Sequence, residues 1–399
     1  MHHGHASAFE RLRTPAEPGF APGHRDAERL RAAVPVDGWS PLWTGLARVG
    51  GLLPPPEQPN ADPWALLRGR EHPSGRRGPD GRLVRTSGGL DDHAGPRFDR
   101  PVPPGGYLWW YVDAIADEGG FGLTIIGFVG SVFSPYYKSS GRARPEEHCA
   151  INVALYGPRG SRWAMTERGS ARLARSETQF HVGPSAMRWE RGELIIDLDE
   201  IAVPIPRRVR GRVRLIPDYI NRHGFALDPA KRHYWRPIAP RARVEVEMDK
   251  PGLKWSGHAY FDSNFGAESL EEGFVDWQWS RAHLGRDEVA VIYEGVRADR
   301  SAFAAALRFS PDGAKEDELP RAAPLPRTLW LMNRSTRSDS GRARVLGTWE
   351  DAPFYARSAL ETTLFGERCQ AVHESLSLTR FASPIVQHML PYRMPRRPG

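Results

Sequence analysis

KWSGHAYFDSNFGAESLEEGFVDWQWSRAH, residues Lys254–His283, carries the alternation of an extended chain. Successive strand residues point to opposite faces. Trp255, Gly257, Ala259 and Phe261 therefore share an apolar face, and Ser256, His258, Tyr260 and Asp262 share a polar one. Glycines, Asn264 and acidic residues then make a turn, and Phe274–Ser280 resumes a strand. A row of titratable and aromatic groups on one strand face is the raw material of a reactive wall, provided the rest of the chain supplies something for it to face.

Outward from this stretch the texture is the same. From Gly106 short β-rich runs bounded by Gly, Pro, Asp and Ser follow one another: YLWWYVD (107–113), FGLTIIGFVGSVFSP (121–135), CAINVALYG (149–157), SRWAMTE (161–167), QFHVG (179–183) and ELIIDLDEI (193–201). RVRGRVRLIP (208–217) sends Val209, Gly211, Val213 and Leu215 to one side and Arg208, Arg210, Arg212 and Arg214 to the other, the pattern of a solvated basic stripe. A proline-rich connector, Asp218–Pro240, contains HYWRPIAP. A second set follows: RARVEVEM (241–248), the opening stretch, EVAVIYEGV (288–296), AFAAALRFS (302–310), RTLWLMN (327–333), ARVLGTWE (343–350) and AVHESLSLTRF (371–381). Regular spacing with turn signals predicts an all-β chain of two barrel or sandwich domains. The expected divisions are an irregular, partly disordered extension over 1–104, a first β domain with connector over 105–240, and a second over 241–399. Ser358–Leu364 is the best short helical candidate.

Composition agrees and excludes several function classes. Forty glycines, 36 prolines and 13 tryptophans in 399 residues suit many short strands rather than a helical bundle. Cys149 and Cys369 are the only cysteines, so neither a disulfide framework nor a zinc-knuckle spacing exists, and a reducing compartment is expected. The net charge of +7 is mostly arginine, but no clustered basic footprint within a nucleic-acid-binding motif accompanies it. The longest nearly apolar run, Phe121–Phe133, is too short to span a bilayer, and the N-terminus has no signal-peptide core. A cytoplasmic protein, soluble or peripheral to a membrane, is expected. Residues 1–100 read as tail and loop packed locally around Trp39, Trp43 and Trp64; His2, His3 and His5 read as a frayed terminus rather than a metal site. Dense Trp and Tyr at Trp109–Trp110, Tyr136–Tyr137, Tyr234–Trp235 and Trp277/Trp279 suit a long, flat, apolar ligand, or an ordinary sandwich core.

No G-x-S-x-G elbow, P-loop, dinucleotide fingerprint or H-E-x-x-H is present, which leaves a cofactor-free enzyme or a binding protein. His233 with Trp235, and Tyr260 with Asp262, stand at i and i+2, so each pair shares a face if its segment is extended. A cleft between the two domains would bring the pairs together. Asp113, on the face of Trp109 and Tyr111, and Asp276, beside Trp277, compete with Asp262 as the acidic group.

GGYLWWYVDA, FVGSVFSPYY, HCAINVALYG, RWAMTERG, HYWRP, GHAYFDSNFG, FVDWQWSR and MLPYRMPRR, in order from about Gly105 to Arg397, resemble the carotenoid 1,2-hydratases (hydroxyneurosporene synthases) of phototrophic bacteria. Residues 1–100 add nothing to the resemblance, and Lys138–Ser139 departs from the apolar continuation expected after SPYY. The resemblance implies two lipocalin-like β domains, no cofactor and no metal. It also implies addition of water across the terminal C1=C2 bond of acyclic carotenoids such as neurosporene and lycopene, next to a photosynthetic membrane. The matching positions are His233, Trp235, Tyr260 and Asp262. On this reading Asp262 protonates C2, Trp235 and Tyr260 face the tertiary cation, and His233 hydrogen-bonds Asp262 or takes the proton of the attacking water. A carrier without turnover, or a cyclase on a related scaffold, is the alternative.

Overall fold

The computed structural model describes residues 83–86, 95–158, 160–285 and 287–397. The expectations for Trp39, Trp43, Trp64 and the N-terminal histidines fall outside these residues. Within them the chain is all-β, built from a fifteen-stranded sheet, a seven-stranded sheet and a two-stranded ribbon. The strand runs read from sequence recur with small shifts: Glu193–Ile201, Arg208–Pro217 and Ala302–Ser310 coincide with their expected limits.

The first sheet is centred on Tyr107–Ala116, with Gly122–Val129 on one side and Leu253–Gly266 on the other, followed by His233–Lys250, Arg208–Pro217 and Glu193–Ile201, all antiparallel. It curls around its own core. Phe180 and Met187, from strands near one end, come within 2.9 Å of where a Cβ on Gly127 would lie, so only glycine lets the far wall close over that strand. Leu108, Trp110, Val112 and Ala114 fill this inner core together with Ala259, Phe261, Val209, Val213 and Leu215. The second sheet places Phe274–His283 between Val289–Arg297 and Glu367–Ser377. Its inner face, through Trp277, Trp279, Tyr293 and Phe303, meets the outer face of the first sheet, through Tyr107, Trp109, Tyr111, Trp235 and Tyr260. Both faces of Tyr107–Ala116 are thus buried, which is why YLWWYVDAIA is apolar almost throughout rather than alternating with polar residues.

Five expectations are corrected. The division at 240/241 falls inside one strand, His233–Lys250. Its partner Leu253–Gly266 pairs with Tyr107–Ala116, so the first sheet extends to Gly266. The proline-rich appearance of HYWRPIAP had suggested a connector, but the pairing shifts register around Pro237, where the strand lacks an amide to donate, and Asn221 Nδ2 donates to the Pro237 carbonyl. Ser358–Leu364 is the end of the strand Tyr355–Leu364, whose neighbours on both sides supply its ladder. Arg327–Asn333 is no strand but a turn with Leu331 at φ +58°. Finally, residues 95–104 are not loose extension. Phe98 is fully buried edge-on to Trp110, whose Nε1 donates to the Pro96 carbonyl at 3.0 Å.

The departure at Lys138–Ser139 has a local explanation. Ser134 caps a short helix, Pro135–Ser139, and Lys138 pairs with Glu271 at 3.4 Å while lying over the Phe381 ring. The arginine stripe is solvated as read, and each member has an acidic neighbour: Arg208 with Asp199, Arg210 with Asp249, Arg212 with Asp197, Arg214 with Glu193 and Glu245.

Candidate active site

Pairing of His233–Lys250 with Leu253–Gly266 sets Trp235 opposite Asn264 and Pro237 opposite Asp262. Side chains of the same facing set then meet diagonally, and long ones span the gap. Trp235 Nε1 donates to Asp262 Oδ2 at 2.8 Å, Tyr260 OH donates to the same oxygen at 2.8 Å, and Asn264 Nδ2 lies 3.3 Å from Oδ1. Three of the four residues matched by resemblance are therefore one hydrogen-bonded cluster. All of it is buried between the sheets, Asp262 being 3% exposed.

Burial dominates the chemistry of this carboxyl, because a charge is costly away from water. It pushes the Asp262 pKa up to about 8; the Trp235 and Tyr260 hydrogen bonds pull the other way, and the negative charges of Glu374 and Asp113 add to the rise. Asp262 is thus a neutral carboxylic acid near pH 7. Its ionised form is already provided with two donors.

The cluster opens on a cavity of ≈ 50 Å³. Trp109, Tyr111, Trp235, Trp277, Trp279 and Tyr293 form its aromatic walls, and Asp262, Asn264 and Glu374 supply polar groups. At roughly 10–15 Å³ per water centre, the space admits a few waters or the tip of a hydrocarbon chain.

His233 is placed elsewhere. It stands opposite Gly266, and its ring hydrogen-bonds Tyr107 OH through Nδ1 at 3.0 Å and Glu268 through Nε2 at 3.1 Å. Two glycines make its slot: a Cβ on Gly273 would lie 2.2 Å from Nε2, and one on Gly266 2.9 Å from Nδ1. Burial lowers its pKa, against the opposing pull of Glu268. The ring reaches the cavity through Tyr107, which stacks on Trp109 at 4.9 Å, and through Phe274, which packs edge-on to Trp277 at 5.6 Å. A direct His233–Asp262 hydrogen bond, expected from sequence, is not formed. Four residues of extended chain between Asp262 and Gly266, roughly 13 Å, separate the two positions.

The competing carboxylates are sorted by their neighbours. Asp113 is fully buried against two guanidinium groups, Arg281 Nε at 2.7 Å and Arg357 at 3.2 Å. Burial raises the Asp276 pKa to about 6, but Asp276 does not line the cavity. Glu374 does, and sequence reading passed over it inside AVHESLSLTRF. The signal was there: Val372, Glu374 and Leu376 share one strand face, and a lone carboxylate between two buried apolar residues needs a reason.

A neutral acid at the end of an aromatic cavity between two β-sheets defines a site for proton chemistry on an apolar substrate. The chain belongs to the carotenoid hydratase family: the family model described as carotenoid hydratase CrtC matches residues 125–399. It is 50% identical over 380 residues to an acyclic carotenoid 1,2-hydratase of Thiocapsa roseopersicina, covering 94% of each chain. It is also 50% identical over 389 residues to one of Rubrivivax gelatinosus, covering 96% of this chain and 95% of that one. A relative from Cereibacter sphaeroides with the same name is 45% identical over 278 residues, 69% of this chain but 99% of its own. Most of residues 1–100, which added nothing to the resemblance read from motifs, is therefore shared with the first two relatives. Among solved structures, a proposed AttH of Nitrosomonas europaea aligns at TM-score 0.47 and 15% identity over 67% of this chain and 91% of that one. CghA bound to Sch210972 aligns at TM-score 0.45 and 13% identity over 74% of this chain and 98% of that one.

Proposed function

We propose that this chain adds water across the terminal C1=C2 bond of acyclic carotenoids such as neurosporene and lycopene, without a cofactor, giving the tertiary 1-hydroxy product. The observation that carries the reading is a carboxyl held neutral inside an aromatic cavity, in a chain half identical to acyclic carotenoid 1,2-hydratases along nearly its whole length. Hydration is redox-neutral, so a proton donor, a cation-tolerant pocket and water are sufficient.

Asp262 is the general acid. Proton transfer to C2 leaves a tertiary cation at C1 and a carboxylate on Asp262. A raised pKa keeps the acid protonated but also weakens it, and the two donors on Oδ2 relieve that conflict by strengthening their hydrogen bonds as charge develops. Trp235 and Tyr260 thus serve the carboxylate with their N–H and O–H groups. The rings of Trp109, Trp277, Trp279 and Tyr293 offer π-faces to the cation, a contact worth about 2 kcal/mol or more when desolvated. His233 fixes the Tyr107–Trp109 stack and has no part in proton transfer.

A C40 polyene resides in the bilayer, and peripheral attachment delivers it. Among the described residues no helix is long and apolar enough to cross a membrane. Leu329 and Leu331 project from the Arg327–Asn333 turn at 62% and 55% exposure, and Ile385 and Tyr392 from the C-terminal helices at 53% and 78%. Arg380 joins the two by donating to the Trp330 and Leu331 carbonyls. Of the eight arginines in residues 319–338 and 376–397, Arg321, Arg327 and Arg397 are exposed and available to an anionic lipid surface, whereas Arg334 and Arg393 are buried and Arg337 and Arg396 pair with Glu294 and Glu167. The acid-paired stripe Arg208–Arg214 is the weaker candidate for that contact.

The test is incubation of the purified protein with lycopene in lipid or detergent, in H₂¹⁸O, followed by mass spectrometry of wild type and Asp262→Asn. Labelled 1-hydroxy product from wild type alone is expected. Bound carotenoid with no product from either would make the protein a carrier, and a product of unchanged mass would make it a cyclase. Co-sedimentation with anionic vesicles, lost on Leu329→Glu/Leu331→Glu, checks the attachment.

A further inference from the structure

We infer that Glu374, from the sheet opposite the acid, is the base that takes the proton of the attacking water, with Asn264 as the second acceptor holding that water. The inference rests on the hydration reading and names the half of the reaction that Asp262 does not perform.

The placement is specific. Glu374 lies on Glu367–Ser377 in the second sheet, and Asp262 on Leu253–Gly266 in the first; both line the same small cavity. Arg357, directly across the strand pair from Glu374 and fully buried, forms an ion pair with Glu374 Oε1, and Tyr111 OH donates to the same oxygen at 2.6 Å. No described donor is bonded to the second oxygen, Oε2. Asn264 Oδ1 is buried without a hydrogen-bond partner among the described residues. A buried acceptor left bare is costly, and water is the small donor that satisfies it. A water between Glu374 and Asn264 gives both its hydrogens to acceptors, so a lone pair remains for carbon.

Two carboxyl groups in one cavity, one desolvated and neutral, the other ion-paired, divide the roles of acid and base. The step balances. Asp262 gives its proton to C2 and the π-pair forms that C–H bond; the water oxygen then forms the C1–O bond as its proton passes to Glu374. Transfer of that proton from Glu374 to the Asp262 carboxylate, through a cavity water, restores both groups. The negative Glu374 also favours the neutral form of Asp262 before the reaction and the cation during it.

The experiment is a single-turnover hydration series over pH with wild type, Glu374→Gln, Glu374→Asp and Asp262→Asn, alongside carotenoid binding by the shift of the polyene spectrum. Wild type should show an alkaline limb, where Asp262 must stay protonated. Glu374→Gln should bind carotenoid as wild type does, lose on the order of 10²–10⁴-fold in rate, and keep an alkaline limb that moves to lower pH, because the Glu374 charge helps to hold the Asp262 pKa up. Glu374→Asp should hydrate slowly with the alkaline limb present, and it decides the matter if the Gln variant does not fold. Glu374→Gln within threefold of wild type, or Glu374→Asp at the full wild-type rate, overturns the inference and makes the regenerated Asp262 carboxylate the base. Absence of hydration by wild type would instead overturn the underlying reading.

Discussion

Tyr260→Phe removes one hydroxyl and nothing else from the acid's surroundings. The ring is fully buried and retains its packing against Tyr111 and Trp279. What is lost is a 2.8 Å donor to Asp262 Oδ2, while Trp235 Nε1 keeps its own 2.8 Å bond to that oxygen. A hydrogen bond to a charged group contributes about 1.5–3 kcal/mol, and one pKa unit corresponds to about 1.36 kcal/mol. The carboxylate form is destabilised by that amount, so the Asp262 pKa should rise from about 8 by roughly 1–2 units. The same loss is felt in the transition state as the carboxylate forms, and the rate should fall by up to roughly 10–150-fold. The two effects have linked signs: the variant is slower near neutrality, and the difference from wild type closes in alkali because its activity persists to higher pH. Single-turnover hydration from pH 5 to 10 measures both. A slower variant whose alkaline limb stays in place or moves down would refute the assignment of Tyr260 as a donor to the acid.

Asp262→Asn should abolish hydration and also raise the melting temperature at pH 7. A carboxyl at 3.8 when unfolded and about 8 when folded binds a proton on folding, so its stabilising contribution is full below 3.8 and is lost as pH rises towards 8. Scanning calorimetry at several pH values should therefore show the Asn variant's advantage growing between those limits; a constant difference contradicts the shift. Gly273→Ala places a methyl 2.2 Å from His233 Nε2 and should cost about 1–3 kcal/mol of stability in urea titration, against no change if the slot is loose. His233→Gln should lower activity through the Tyr107–Trp109 stack but leave the alkaline limb near 8. Movement of that limb by a unit would place the imidazole in contact with the acid after all.

Period-two alternation made the strands legible, and so did the pairing of Tyr260 with Asp262 and of His233 with Trp235, since each pair needs only an extended chain. Alternation does not say which sheet a strand joins. HYWRP and GHAYFD were therefore assigned to different domains, although thirteen register pairs hold them side by side in one sheet. The same gap explains His233. Its face was read correctly, but its distance from Asp262 depends on the register that sets it opposite Gly266. Ser358–Leu364 looked helical because SALETTL mixes good helix formers with polar residues, and the two flanking strands overrode that propensity. Glu374 is legible only as a carboxylate on an apolar strand face, and its role is hidden for a third reason. Its role comes from Arg357 and Tyr111, 17 and 263 residues away, and no local pattern reports such partners.

The two-sheet arrangement answers a conflict that one barrel would not. An acid strong enough to protonate an alkene must be desolvated to stay protonated at neutral pH, yet its conjugate base must be stabilised at once. Neighbours on the acid's own sheet meet the second need, because Trp235 and Tyr260 are fixed by the same strand register that positions Asp262. The first need, and the water, come from the opposing sheet: Trp277 and Trp279 exclude solvent, and Glu374 contributes the negative charge. Asp113 then links the halves, as its carboxylate on the first sheet binds Arg281 and Arg357 on the second, and Arg357 in turn binds Glu374. A buried ion network of this kind gains little stability, but removal of one member leaves a charge unpaired and costs about 3–5 kcal/mol. Asp113→Asn should therefore lower the melting temperature and slow hydration together, and move the alkaline limb set by Asp262 to lower pH, since one of the negative charges that hold its pKa up is removed. A variant with full thermal stability and reduced activity alone would mean that Asp113 acts on the reaction directly rather than through the register of the two sheets.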